Sequence, residues 1–153
     1  NVDVTECCFK KCRNSGMIVK NGATATATRC EFLENVHGCG VYCAGAITKV
    51  RLTDCTMHHN GYCGLWANEH AVVDLHGTQT DIHSNKRDGI FATNRAKVNI
   101  HLPSQHNTSH DNNGQDRRQI NGGSIANINA DGTFTHVEED DHFYCTVKFR
   151  YGV

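Results

Sequence analysis

The stretch that decides the fold is residues 25–65, ATATRCEFLENVHGCGVYCAGAITKVRLTDCTMHHNGYCGL, which contains one pattern twice. Each copy has two apolar residues spaced two apart, then a cysteine, an asparagine, and a glycine followed by an aliphatic residue. The first copy is Ala25, Ala27, Cys30, Asn35 and Gly40-Val41, and the second is Val50, Leu52, Cys55, Asn60 and Gly64-Leu65. Alternating apolar residues are typical of strands with one buried face. The sequence therefore indicates a repeat of about 25 residues built from short strands.

The repeat extends over most of the chain. The glycine–aliphatic pairs are Gly16-Met17, Gly40-Val41, Gly64-Leu65 and Gly89-Ile90. One proline, fourteen glycines and no helical periodicity argue for strands. Since one coil cannot bury its own inner face, we predict an all-β, right-handed parallel β-helix of about five coils. A leucine-rich repeat has a similar period, but the coils lack its leucine–asparagine consensus.

The regularity of the pattern divides the chain into three parts. We predict regular coils over residues 1–102, a polar loop over 103–123, and a last coil with a C-terminal cap over 124–153, all in one domain. Strands at Thr133–Val137 and Phe143–Arg150 are expected to pair and close the C-terminal end.

Asparagine recurs at one turn position, with Cys12 in its place in the first coil. The ladder is Asn35, Asn60, Asn85 and a plausible continuation at Asn112. Stacked asparagines hydrogen-bond along the axis and tolerate left-handed backbone at a turn. We assign this ladder to structure.

The chain has nine cysteines. Cys7, Cys30 and Cys55 share one position in the repeat and are expected to be buried, and Cys43 also occupies a core position. Parallel stacked neighbours are poorly oriented for disulfides, and no tight Cys-x-x-Cys pair suggests zinc. Reduced thiols are predicted, which favours a cytosolic or nuclear-type compartment, although Asn107-Thr108-Ser109 is a glycosylation sequon.

The repeated asparagine, glycine–aliphatic pair and alternating strand resemble the pectin-lyase-like superfamily of right-handed β-helices. The resemblance covers roughly residues 1–101. It implies the fold, but the superfamily includes lyases, epimerases, hydrolases and binding modules, so it does not decide the activity.

One outward column is aromatic. If Val41, Leu65 and Ile90 point inward, the residues that follow them, Tyr42, Trp66 and Phe91, point outward, preceded by Ile18. Aromatic side chains on a rigid sheet can stack on sugars or anchor a protein partner. The alternative is a satellite cluster covered by another part of the chain.

A second outward column is polar and includes Arg51 and Asp74, which can form a surface ion pair, with His76 and His101 beside it. Enzymes that resemble this fold work on such a strand face, with clustered or paired carboxylates. Here Asp74 is the one carboxylate in the central coils, so no catalytic constellation is assigned. His58 and His83 form a further pair spaced by 25 residues.

Several classes of function lack support. Net charge is −1, so no basic field favours nucleic acid, and no apolar run is long enough to span a membrane. No cofactor or metal motif occurs.

We expect a recognition or scaffold module that binds a carbohydrate or a protein through Tyr42, Trp66 and Phe91, with ligand contacts also at Arg51, Asp74, His76 and His101. The alternatives are a carbohydrate-active enzyme and a structural spacer. The valine-rich strand at residues 1–4, with nothing before it to cover its edge, favours a longer chain or a larger assembly.

Overall fold

The predicted parallel β-helix is confirmed. The computed structural model describes residues 1–103 and 106–136. Five successive coils each contribute three strands, and each strand pairs in parallel with its counterpart in the next coil. The strands are β1 (Val2–Thr5), β2 (Cys8–Lys10), β3 (Met17–Lys20), β4 (Thr24–Thr28), β5 (Glu31–Leu33), β6 (Val41–Ala44), β7 (Lys49–Thr53), β8 (Thr56–His58), β9 (Leu65–Asn68), β10 (Val72–His76), β11 (Asp81–His83), β12 (Ile90–Thr93), β13 (Lys97–Ile100), β14 (Ser109–His110), β15 (Arg117–Ile120), β16 (Ser124–Ile128) and β17 (Phe134–His136).

Three sheets run along the axis. The first sheet is β1-β4-β7-β10-β13-β16-β17, the second is β2-β5-β8-β11-β14, and the third is β3-β6-β9-β12-β15. The core lies inside the coils, because every strand turns alternate side chains inward. Val50, Val73 and Val98, for example, stack in register and are almost fully buried.

The predicted loop at 103–123 is wrong, because β14 and β15 lie within it and complete a fifth coil. Two interior positions of β15 are polar: Arg117 is in register with Ile90, and Gln119 with Ala92. The polar residues at these two positions interrupt the alternation of apolar residues by which a strand is recognised in a sequence. β17 pairs antiparallel with β16, and the second strand predicted for the cap, 143–150, lies outside the described residues.

The asparagine ladder is confirmed and buried. Nδ2 of Asn35 donates to Oδ1 of Asn60 at 2.8 Å, and Nδ2 of Asn60 donates to Oδ1 of Asn85 at 2.9 Å. Nδ2 of Asn85 donates in turn to Oδ1 of Asn112 at 2.9 Å. At the other end of the ladder, the backbone N–H of Cys12 donates to Oδ1 of Asn35. The left-handed backbone lies one residue before each of these positions, at Lys11, Glu34, His59, Ser84 and Asp111.

The recurrent glycines lie close against the ladder and the neighbouring coil. A Cβ atom at Gly16 would lie 2.8 Å from the Asn35 amide nitrogen, and one at Gly64 would lie 2.8 Å from that of Asn85 and closer still to Ile82 Cγ2. Such distances are shorter than real Cβ contacts. Glycine is needed here because neighbouring atoms approach its Cα closely, and not because of a special φ angle. The recurrent glycine and the recurrent asparagine in the sequence therefore reflect the same close packing.

The interior cysteines use their thiols as hydrogen-bond donors. Cys30 donates to the carbonyls of Val4 and Thr28, and Cys55 donates to those of Ala27 and Thr53. Cys30 and Cys55 are buried, as predicted.

Cys7 is only half-buried, contrary to the prediction, because it lies in the first coil and no described coil covers its other side. Within the described residues the eight cysteines are unpaired. Burial raises the pKa of Cys43 to about 12 and that of Cys55 to about 11. Such thiols carry almost no thiolate at neutral pH and are chemically inert.

We predict that replacing Asn60 with alanine destabilises the fold by at least ~3 kcal/mol, because several buried donors and acceptors lose their partner. Urea unfolding followed by circular dichroism measures the change. Asn113→Ala is the matched control, since this asparagine is exposed and its side chain makes no hydrogen bond with the described residues. Equal effects of the two substitutions would contradict the assignment of the ladder to stability.

We also predict that iodoacetamide modifies the exposed Cys8 first in the native protein, whereas Cys43 and Cys55 react only after unfolding. Mass spectrometry of the alkylated protein, unfolded without reductant, counts the free thiols. Finding Cys7, Cys30 or Cys55 in a disulfide would refute the prediction of reduced cysteines.

Candidate functional site

The aromatic side chains of the third sheet lie in one column outside the coil interior. Tyr42 of β6 is in register with Trp66 of β9, and Trp66 is in register with Phe91 of β12. With Cys39, Cys63 and Tyr62 they form a second apolar cluster, separate from the main core. We call the surface formed by Ile18, Tyr42, Tyr62, Trp66 and Phe91 the aromatic face.

Exposure varies along the aromatic face. Ile18, in register with Tyr42, is 51% exposed, and Tyr42 and Trp66 are half-buried. Phe91 is only 7% exposed, so the prediction of an exposed ring there is wrong. Phe91 is covered by β15, a strand that could not be recognised in the sequence. Arg118 of β15 is in register with Phe91 and covers it, and Ile120 also packs against this cluster.

The rings of the column contact one another along the axis. The centroids of Tyr42 and Trp66 are 4.9 Å apart with planes tilted by 52°, and those of Trp66 and Phe91 are 5.6 Å apart and stacked, with planes inclined by 23°. Lys20 Nζ lies 4.8 Å from the Tyr42 centroid, and Arg118 Cζ lies 5.1 Å from that of Phe91. Phe91 therefore lies between Trp66 and Arg118, and Lys20 lies over Tyr42. The indole Nε1 of Trp66 is buried and has no hydrogen-bond partner among the described residues.

Two contacts on each side fix the flanks of the aromatic face. Tyr62 packs beside Trp66 with a centroid distance of 5.5 Å, and Arg87 Cζ lies 4.7 Å from the Tyr62 ring. On the other flank Asn68 donates to the Tyr42 hydroxyl, and Asn94 donates in turn to Asn68 at 2.9 Å. These bonds hold the tyrosine ring in one orientation.

Sequence reasoning missed Tyr62, Arg87, Lys20 and Arg118. A signal existed for the first two, since Tyr62 follows Asn60 by two residues and Arg87 follows Asn85 by two, which places them on adjacent coils. Arg118 could not be found, because the register of the fifth coil is obscured in the sequence.

The polar column on the first sheet brings Asp74, His76 and His101 together. His101 Nε2 donates to Asp74 Oδ1 at 2.9 Å, and the His76 and His101 rings stack with centroids 4.1 Å apart. Arg51 is in register with Asp74, but the ion pair predicted between them is not formed. Asp74 turns instead to the following coil, where Asn99 also donates to it at 3.0 Å.

The charges in this column shift two pKa values. Burial opposes ionisation of Asp74, but hydrogen bonds from His101 and Asn99 outweigh it and lower the pKa of the carboxyl. Burial, the His101 ring and the Arg51 guanidinium lower the pKa of His76. His76 Nε2 is buried and makes no hydrogen bond. The neutral imidazole is thus the favoured form of His76.

A second histidine stack lies on the second sheet. His58 and His83, the predicted pair, are stacked at 5.0 Å, and His110 extends the stack at 5.4 Å. Each outer ring pairs with a carboxylate, His58 with Glu31 at 2.9 Å and His110 with Asp81 at 3.0 Å. In the part of the chain that the structure describes, no group of three potential ligands is arranged to hold a metal ion, and no helix could cross a membrane.

We predict that His76 titrates below the usual histidine pKa of about 6.5. The folded protein then binds fewer protons at His76 than the unfolded chain, so this group lowers stability as the pH falls below about 6.5. Ring-proton NMR measures the midpoint. Asp74→Asn should lower it further, because it removes the one charge that favours the imidazolium; an upward movement would contradict this account of the site.

A comparison with known protein families gives a match over the N-terminal coils. A family model described as the right-handed β-helix region matches residues 1–80. The comparison with curated proteins and the comparison with solved structures each found no match. The matched residues form the first three coils and enter the fourth, and they contain the repeat that defines the register of the whole fold. The chain therefore belongs to the right-handed β-helix family.

Proposed function

We propose that this chain is a non-catalytic recognition module that binds a protein partner through its aromatic face. The observation that carries the proposal is the apolar cluster outside the coil interior, which leaves Tyr42 and Trp66 half-buried at the surface. Ile18, in register with Tyr42, extends this surface and is half exposed. Aromatic and aliphatic side chains held in this way are the usual anchors of protein interfaces.

The arrangement of the rings favours a protein over a sugar. A sugar ring stacks on an open aromatic face, whereas Trp66 lies between Tyr42 and Phe91, and Lys20 and Arg118 lie over the rings at the two ends of the column. The parts of Tyr42 and Trp66 that remain exposed are suited to side-chain packing. The cluster is also anchored to a sheet paired from coil to coil, so little conformational entropy is lost on binding.

The second candidate, a carbohydrate-active enzyme, is favoured by one observation, the hydrogen-bonded pair of Asp74 and His101. Such a pair can transfer protons. However, the neighbours of Asp74 in register are Arg51 and Asn99, and the other carboxylate of this column, Asp3, lies three coils away. That is roughly 14 Å along the axis, which is too far for the paired carboxylates of glycoside hydrolysis. We therefore place recognition first.

We predict that short peptides selected from a random phage-displayed library bind the wild-type chain and lose affinity by about 5- to 150-fold, or ~1–3 kcal/mol, in Trp66→Ala. Ile18→Asp, at the exposed end of the aromatic face, should weaken the same peptides. Val72→Ala is the matched control, because it removes apolar atoms from the outer side of the first sheet. Urea unfolding establishes that each variant is folded.

Two results would contradict the proposal. One is binding on a glycan array that depends on Trp66 while no selected peptide does, which would indicate a carbohydrate ligand. The other is release of reducing ends or unsaturated products from polygalacturonate that disappears in His101→Gln, which would indicate an enzyme.

A further inference from the structure

The aromatic face is bordered by cations. Lys20 lies over Tyr42, Arg87 over Tyr62 and Arg118 over Phe91, each within about 5 Å of the ring centroid. These contacts hold three positive charges beside the apolar surface, in defined positions.

The positive charge at this border is only partly compensated. Arg118 is 3.5 Å from Asp88, whose side chain is 6% exposed and also accepts a bond from the Gln115 backbone. Among the described residues Lys20 and Arg87 have no carboxylate within ion-pair distance. The whole chain carries a net charge of −1, so the excess of positive charge is a local property of this face.

We propose that the partner segment that occupies the aromatic face is an acidic peptide lying along the column, with apolar residues over Tyr42 and Trp66 and carboxylates toward Lys20 and Arg87. This inference rests on the proposed function. Charge complementarity of this kind steers association and selects the partner.

The spacing of the coils sets the spacing of the carboxylates. Lys20 lies in the first coil, Arg87 in the fourth and Arg118 in the fifth. With coils about 4.8 Å apart, Lys20 is roughly 14 Å along the axis from Arg87 and roughly 19 Å from Arg118. An extended peptide rises about 3.3 Å per residue, so the acidic residues should be about four to six positions apart.

A second copy of the chain fits this face less well than an acidic segment. A two-fold interface would bring the same surface of both copies together and so place Lys20 and Arg87 near the like charges of the partner. A single-stranded nucleic acid would need open ring faces for its bases, whereas Lys20 lies over Tyr42 and Phe91 lies between Trp66 and Arg118.

The experiment starts from peptides selected on the wild-type chain out of a random library that contains acidic, neutral and basic sequences alike. We expect the peptides that depend on Trp66 to be enriched in aspartate and glutamate on both sides of an apolar centre. One such peptide, labelled with fluorescein, and its Glu→Gln analogue are then titrated by fluorescence anisotropy. The acidic peptide should bind more tightly than the analogue, and its advantage should vanish at about 1 M NaCl, where the Debye length is about 3 Å.

Variants of the chain locate the effect. Lys20→Met and Arg87→Met should each weaken the acidic peptide by ~2–5-fold, while Lys20→Arg retains affinity. Lys49→Met is the matched control, since Lys49 is an exposed cation on the first sheet and loses the same charge. An equal loss of affinity in Lys49→Met would show that the effect depends only on the net charge of the chain, and it would overturn the proposal.

The remaining outcomes separate this proposal from the one on which it rests. If acidic peptides and their Gln analogues bind equally and both require Trp66, the recognition function stands and the acidic partner is refuted. If no selected peptide requires Trp66, the recognition function itself fails. Light scattering that shows a dimer lost in Trp66→Ala, or a single-stranded oligonucleotide that competes with the peptide, would assign the face to another occupant and also overturn the proposal.

Discussion

The amide ladder inside the turn determines the register of every coil. Asn60 illustrates this constraint, because its amide group bonds Asn35 in the preceding coil, Asn85 in the following coil and the carbonyl of Phe32. A slip of one residue would leave these buried groups unpaired and would turn each inner side chain outward. The glycines leave room for the ladder, because a side chain at Gly16 or Gly64 would collide with its amides.

Because the coils stack in register, residues at equivalent positions form columns whether or not they have a function. The histidine stacks at 4.1, 5.0 and 5.4 Å are consequences of this geometry, so stacking alone does not identify a site. The aromatic face differs in two respects. It forms an apolar cluster outside the core, and positive charges without nearby carboxylates border it. The functional argument depends on these two properties.

The sequence was sufficient to predict the coils where the period is regular and the inner positions are apolar. It failed at the fifth coil, where Asn112 follows Asn85 by 27 residues rather than 25 and where Arg117 occupies an interior position. The burial of Phe91 could not be predicted for the same reason, since Arg118 belongs to that coil. The predicted ion pair of Asp74 with Arg51 was wrong, because Arg51 and Asn99 are both adjacent to Asp74 in register and only side-chain geometry decides between them.

The two arginines of β15 connect the end of the core with the aromatic face. Arg117 points into the coil, where its guanidinium donates to Asn127 at 2.7 Å and burial lowers its pKa. Arg118 is the next residue, so strand alternation turns it outward onto Phe91. A shift of β15 that broke the bond to Asn127 would therefore also move the cation that covers Phe91. Arg117 at the polar end of the interior and Arg118 at the border of the aromatic face thus both depend on the register of β15.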